Sequence, residues 1–312
     1  MTAPAQSNQT VSFLRRRFAE VGIEPHARHG QNFLVDLNLV RLIVERAELE
    51  PRDVVLEVGT GTGSLTGLVA PRVAAVVTVE IDPRLWQLAH EELFALTNVI
   101  ALQQDALRNK SHFDERVLNA VSEQLAAGPD RRFKLVANLP YNVATPVIAN
   151  LLSAPIVPTS MTVTVQKELG DRIAARPGTK DYSALSVWIQ SQCHVELVRT
   201  LPPGVFWPRP KVTSAILHIR VDETLRAQIP DREFFHDFVR ALFLHRRKFL
   251  RGVLQSRWKA ELGKAGVDQA LAATGLNPEA RAEQLDILQM LALSEAIRRM
   301  TAVAGGGAET KK

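Results

Sequence analysis

Cysteine is almost absent: Cys193 is the only one in 312 residues. That excludes a disulfide framework and a cysteine-built zinc site, and it fits a reducing compartment. The eight histidines form no HExxH or HxxxH pattern, so no metal is expected. No apolar run is long enough to cross a bilayer, and no membrane partner is expected. The N-terminus, MTAPAQSNQTVSFLRRRF, lacks the positive-then-apolar order of a secretory leader. A cytoplasmic protein is the expectation.

What the chain has in mild excess is positive charge, a net +5 at neutral pH. The basic residues gather in groups: Arg15-Arg16-Arg17, then His26, Arg28 and His29, then Arg209 with Lys211, then Arg246, Arg247, Lys248 and Arg251. Any one group could be a solvated face. Their recurrence beside the motifs below points to nucleic acid.

Residues 1–10 and 301–312 read as disordered tails, the first small and polar, the second rich in alanine and glycine. Between them, short runs rich in β-branched residues predict strands at Val54–Val58, Ala75–Glu80, Val99–Gln103, Phe133–Ala137, Met161–Val165, Val195–Thr200 and Ala215–Val221. Helical spacing at Leu39–Leu49 and Pro83–Leu96 separates the early ones. The β-α-β-α order implies an α/β fold with a mostly parallel sheet covered on both faces. The last two runs have no clear helix between them and predict an antiparallel pair at an edge. After Asp222 only helical spacing remains, at Phe234–Phe243, Arg247–Gln255, Val267–Thr274 and Ile287–Met300. One domain is therefore expected over 11–222 and a small helical one over 223–300. A charged insertion at 108–132 repeats Phe113, Val117, Val121 and Leu125 every four residues, as expected of a helix packed on the sheet.

The densest local signal is VVLEVGTGTGSLT, residues 54–66. A buried strand ends at Glu57, and Gly59, Gly61 and Gly63 follow before a helix. Glycines there let the backbone approach a ligand closely. The dinucleotide fingerprint is GxGxxG, whereas GxGxG after an acid better suits a ligand without a pyrophosphate. S-adenosylmethionine is one, and Glu57 would face its cationic amino-acid end. Glu80 ends the second strand, placed to accept from both ribose hydroxyls. Asp105 follows the third, placed for the adenine amine. Each acid alone could cap the next helix. Three at successive strand ends point into the crevice where parallel sheets bind ligands.

The fourth strand delivers Asn138-Leu139-Pro140-Tyr141 to the same crevice. An exocyclic adenine amine is a poor nucleophile because its lone pair is delocalised. The Asn138 side-chain carbonyl and the Leu139 backbone carbonyl can each accept one amine hydrogen and favour a more pyramidal nitrogen. Pro140 fixes the backbone, and the Tyr141 ring gives a base something to stack on. The work is positioning and electrostatics. Farther on, FWPRPK (206–211) reads either as a rigid connection or as a site. In the second reading Phe206 is the other face of an aromatic sandwich around an extruded base, with Arg209 and Lys211 on flanking phosphates.

The motifs GQNFL (30–34), EVGTGTGSLT (57–66), EID (80–82), NLPYN (138–142), VQKELGDRIAARPGTKDYSALSV (165–187), FWPRPKVTSA (206–215) and HRRKFL (245–250), in this order, resemble the ribosomal RNA adenine N6,N6-dimethyltransferases that modify the small subunit. The resemblance covers about residues 13–300. It implies a Rossmann-like class I methyltransferase with a seven-stranded sheet and a small C-terminal α-helical domain. It also implies that Asn32, Leu34, Gly59, Glu80, Asp105 and Asn138 contact S-adenosylmethionine, in addition to Glu57 and Gly61 read above. The implied product is dimethyladenosine at two adjacent adenines of a hairpin near the 3′ end of 16S rRNA, made late in 30S assembly. The lead-in HARHGQNFL has fewer fixed charges than the family's lysine-rich one, Thr60 stands where proline is common, and the stretch between Asp105 and Asn138 is long. A monomer is expected. Three rivals stand beside this reading: a large-subunit adenine methyltransferase of the antibiotic-resistance type, a non-catalytic ribosome-assembly factor, and an NAD dehydrogenase. The glycine spacing disfavours the last.

Overall fold

The structure, a computed structural model, describes residues 10–20, 22–23 and 31–306. The ends expected as tails at 1–9 and 307–312, and the basic group His26, Arg28 and His29, lie outside the described residues.

All seven expected strands form: β1 (Asp53–Val58), β2 (Ala75–Glu80), β3 (Val99–Gln103), β4 (Arg132–Asn138), β5 (Ser160–Gln166), β6 (Cys193–Leu201) and β7 (Ser214–Val221). Their order in the sheet is 3-2-1-4-5-7-6. β1 pairs parallel with β2 and β4, β2 with β3, and β4 with β5. β7 turns antiparallel against β5, placing Ala215 opposite Val165, and β6 takes the edge. β1 and β2 are buried along their whole length. That explains why they read as unbroken apolar runs and not as alternation: central parallel strands are covered on both faces.

Helices cover the sheet where their caps and apolar stripes dictate. α1 (Val11–Glu20) is followed by α2 (Leu37–Arg46), which Asp36 caps by accepting from the Asn38 amide. α2 buries Leu39, Val40, Ile43 and Val44 in one cluster with Val55, Val76 and Val136 of the sheet. The glycine turn leads into α3 (Ser64–Val69). α4 (Pro83–Leu93) starts with Asp82 as cap and proline in its first turn. In the 108–132 insertion, α5 (Glu115–Ala126) packs Val117 and Val121 on β1 and β2, as its four-residue repeat requires. α6 (Ala144–Leu151) and α7 (Lys167–Ile173) follow β4 and β5.

The chain divides into two compact units, 1–170 with 195–221, and 171–194 with 222–312. A single cut at 222 misses the second piece, because α8 (Ala184–Gln190) carries Val187, Trp188 and Ile189 into the helical core. There the Trp188 ring lies 6.4 Å from Phe235 and 4.6 Å from His236. α9 (Glu223–Ala227) and α10 (Arg232–Leu244) come next. The two helical runs expected at 247–255 and 267–274 fall in α11 (Leu250–Ala273), which is two helical segments joined across a kink at Gly263, where φ +65° and ψ −177° are not helical. α12 (Ile287–Gly306) corrects the expected tail at 301–312: residues 301–306 continue the helix, and the Thr301 hydroxyl bonds back to the Ile297 and Arg298 carbonyls at 3.1 and 2.9 Å. Ala and Val cost little in a helix already propagating.

Candidate active site

The parallel order 3-2-1-4 sets the carboxyl ends of four strands side by side, with Glu57, Glu80, Asp105 and Asn138 at or just beyond them. A two-lobed crevice opens there. One lobe is lined by Asn32, Leu34, Glu57, Gly61 and Asn138, the other by Asp82, Asp105, Leu107 and Asn142. Gly59, Glu80, Ile81 and Pro140 line both. Every residue expected to hold the cofactor therefore lies on one continuous surface.

Gly59 is where the glycine turn and the NLPY segment meet. Its φ is +87°, and a Cβ there would stand 3.1 Å from the Pro140 ring. Gly61, at φ +56°, lies equally close under the Phe33 ring, 3.2 Å from a would-be Cβ. Both positions exclude a side chain twice over, by backbone conformation and by space.

Glu80 is buried at the junction of the lobes. One oxygen accepts from the Gly61 amide at 2.9 Å and the other from the Asp82 amide at 3.0 Å. Burial raises its pKa; the two amides fix its orientation. Asp105 accepts from the Leu107 amide at 2.9 Å, so it does cap the next turn while still lining the crevice. Glu57 is buried and receives two hydroxyls on one oxygen, from Thr78 at 2.9 Å and from Thr66. Thr60 bonds Thr78 at 2.6 Å, and since Thr78 gives its proton to Glu57, Thr60 must donate. Burial pushes Glu57 up to about 8. The carboxyl therefore holds its proton at neutral pH.

Asn138 donates its Nδ2 to the Asn32 backbone carbonyl at 2.9 Å. Only the amide nitrogen can meet a carbonyl oxygen, so the side chain is locked with Oδ1 as the acceptor toward a ligand. Leu139 is buried, its amide given to the Thr164 carbonyl at 3.2 Å. Tyr141 is half-buried, with its hydroxyl 2.5 Å from the Ser214 hydroxyl. The ring is held by its tip.

Phe206 requires a correction. It is 3% exposed, lies in the cluster containing Leu34, Leu201 and Ile216, and lines neither lobe. Phe206 and Trp207 pair antiparallel with Leu34 and Phe33, which anchors the ring in packing and leaves no face for a base. The cations also divide. Arg209 and Lys211 are exposed. In the helical unit, Arg251 is held bidentate by Asp268 at 2.6 and 2.7 Å, and Arg246 is bound to Glu283. Arg247 and Lys248 remain exposed there. Sequence reasoning missed Phe33, Ile81 and the threonine hydroxyls around Glu57. Only GQNFL and EID carried a trace of the first two.

S-adenosylmethionine fits these residues. Ile81 is 55% exposed beside Asp105, an apolar surface that a purine would cover. Glu80, oriented by two amides, stands where a ribose would cross between the lobes. Gly59 and Gly61 leave room for the chain, and Glu57 and Asn32 line the far end.

The family described as ribosomal RNA adenine dimethylase matches residues 23–299. The chain is 40% identical to "Ribosomal RNA small subunit methyltransferase A" of Halothermothrix orenii over 87% of this chain and 88% of the other. It is 37% identical to the protein of that name from Moorella thermoacetica, over 96% and 100%. Among solved structures, a dimethyladenosine transferase from Plasmodium falciparum shares the fold, with a TM-score of 0.71 at 22% identity over 85% of this chain and 97% of that one. The 23S rRNA methyltransferase ErmE superposes with a TM-score of 0.59 at 26% identity, over 86% and 100%. With the crevice, the glycine turn and the NLPY segment in place, the chain belongs to the ribosomal RNA adenine dimethylase family and is an S-adenosylmethionine-dependent rRNA methyltransferase.

Proposed function

We propose that the chain dimethylates N6 of two adjacent adenines in the hairpin near the 3′ end of 16S rRNA, acting as a monomer on 30S particles in the cytoplasm. The observation that carries the chemistry is the Asn138 amide, locked by the Asn32 carbonyl so that Oδ1 is the acceptor. S-adenosylmethionine supplies an electrophilic methyl group when bound. The chain's own residues prepare the nitrogen. Asn138 Oδ1 and the Leu139 carbonyl accept the amine hydrogens, and the amine is neutral already, so no general base is needed before attack. Tyr141 is the stacking platform, worth roughly 1–3 kcal/mol for one base. Arg209 and Lys211 serve flanking phosphates.

Small-subunit specificity is supported by the curated relatives, which carry that name at 37–40% identity. The test is to incubate the protein with labelled S-adenosylmethionine and under-methylated 30S subunits, then map the label. Two adjacent dimethyladenosines near the 3′ end are expected. Label in 23S rRNA alone would overturn the assignment.

A further inference from the structure

The helical unit exposes an aromatic ring that its own core does not use. Phe249 is 50% exposed and lies at the rim of a groove of about 1000 Å3. Arg247 and Lys248 line it from the turn before α11, Gln255 from the first half of that element and Leu271 from beyond the break at Gly263, with Leu276 and Asn277 following. Its size falls in the range that accepts a small organic ligand.

The surroundings narrow what could enter. A bare anion finds no cradle of amides at this helix start: the Leu250 amide is given to the Ala280 carbonyl at 2.8 Å and that of Arg251 to the Pro278 carbonyl at 3.1 Å. Arg251 is neutralised by Asp268, and Glu279 adds a negative charge at the rim. What remains is two exposed cations immediately before an exposed ring, Arg247 and Lys248, with the Phe249 backbone pinned by an antiparallel bridge to Arg281. Asn277 accepts from the Glu279 amide through Oδ1 at 2.9 Å, so its amide nitrogen is a donor. A ring with a face to offer, adjacent positive charge and a polar reader are what an unpaired nucleotide needs.

We propose that this groove is a nucleotide site in the helical unit. Phe249 stacks on an unpaired base of ribosomal RNA while Arg247 and Lys248 meet the flanking phosphates. The proposal rests on the chain acting on rRNA and adds to it a stacking contact that tolerates any base.

The test uses the full chain with under-methylated 30S particles and with deproteinised 16S rRNA, measuring affinity across salt concentrations alongside methylation. Phe249→Leu keeps apolar bulk but loses the ring face; it should weaken binding to both probes by about 5- to 150-fold. Its salt dependence should match wild type, because stacking releases no counterions. Phe249→Trp should restore affinity. Arg247→Gln and Lys248→Gln should instead flatten the salt slope by about one charge each. Wild-type affinity in Phe249→Leu overturns the proposal. So does weakened binding to 30S with unchanged binding to deproteinised rRNA, which would place a ribosomal protein in the groove. If the wild-type chain methylates neither probe, it is the assignment of function that fails; if it methylates and Phe249→Leu binds equally, only the groove fails.

Discussion

Replacing Glu57 with glutamine tests the electrostatics at the head of the crevice. Buried Glu57 holds its proton until about pH 8, against an ordinary value of 4.5. Burial is the main cause, offset in part by the Thr66 and Thr78 hydroxyls and reinforced by Glu80. Between those two pH values the native chain binds a proton that the unfolded chain has released. Stability contributed by this group is therefore present below the unfolded value and is lost as pH rises through 8. The loss is on the order of 1 kcal/mol per pH unit. Glutamine can accept the same two hydroxyls and does not titrate. Urea midpoints measured from pH 5 to 8 should therefore show Glu57→Gln gaining on wild type as pH rises, with the difference levelling above 8. Parallel curves would refute the reasoning. The same proton should leave when a cation binds beside it. At pH 7, S-adenosylmethionine binding by wild type should release on the order of one proton, seen by calorimetry in buffers of different ionisation enthalpy. Glu57→Gln should release almost none.

Asn138→Ala should keep most cofactor affinity yet lose methyl transfer by about 10²- to 10³-fold; near-normal turnover on 30S particles would dismiss Oδ1 as the acceptor. Gly59→Ala should abolish cofactor binding at equilibrium dialysis, because its Cβ meets the Pro140 ring at 3.1 Å in a left-handed backbone; a wild-type dissociation constant would contradict that. Tyr141→Phe keeps the ring and loses only the bond to Ser214, so methylation should persist with about 1 kcal/mol less stability. Tyr141→Ala should lose methylation, and equal loss in both variants would assign the function to the hydroxyl.

Much of the fold was legible because a central parallel strand leaves little choice of side chain. β1 and β2 are buried on both faces, and their β-branched runs announce it. The site acids were legible for a related reason, since an acid closing an apolar run marks the carboxyl end of the strand, although Glu57 and Glu80 are themselves buried there. What stayed hidden depended on partners distant in sequence. Nothing near Trp188 says that it packs against Phe235. Nothing near Arg251 or Arg246 shows that Asp268 and Glu283 neutralise them. Phe206 among prolines has the same local pattern whether its ring is displayed or buried. Thr60 stands where proline is common, and nothing beside it in sequence shows that its hydroxyl opens the relay through Thr78 to Glu57.

The short antiparallel pairing of Phe33–Leu34 with Phe206–Trp207 has a thermodynamic consequence. Phe33 lies on Gly61 in the cofactor lobe, and it is packed with Phe18 of α1, whose ring also touches Trp207 at 5.4 Å. Two residues after Trp207 comes Arg209, on the segment proposed to meet RNA. In that reading one small ladder adjoins both ligands. If cofactor binding steadies that ladder, RNA binds a steadier surface, and linkage makes the effect mutual: whatever factor the cofactor adds to RNA affinity, RNA adds to cofactor affinity. For an enzyme that must exchange spent cofactor between methyl transfers, this reciprocity sets a conflict between holding the particle and releasing the product.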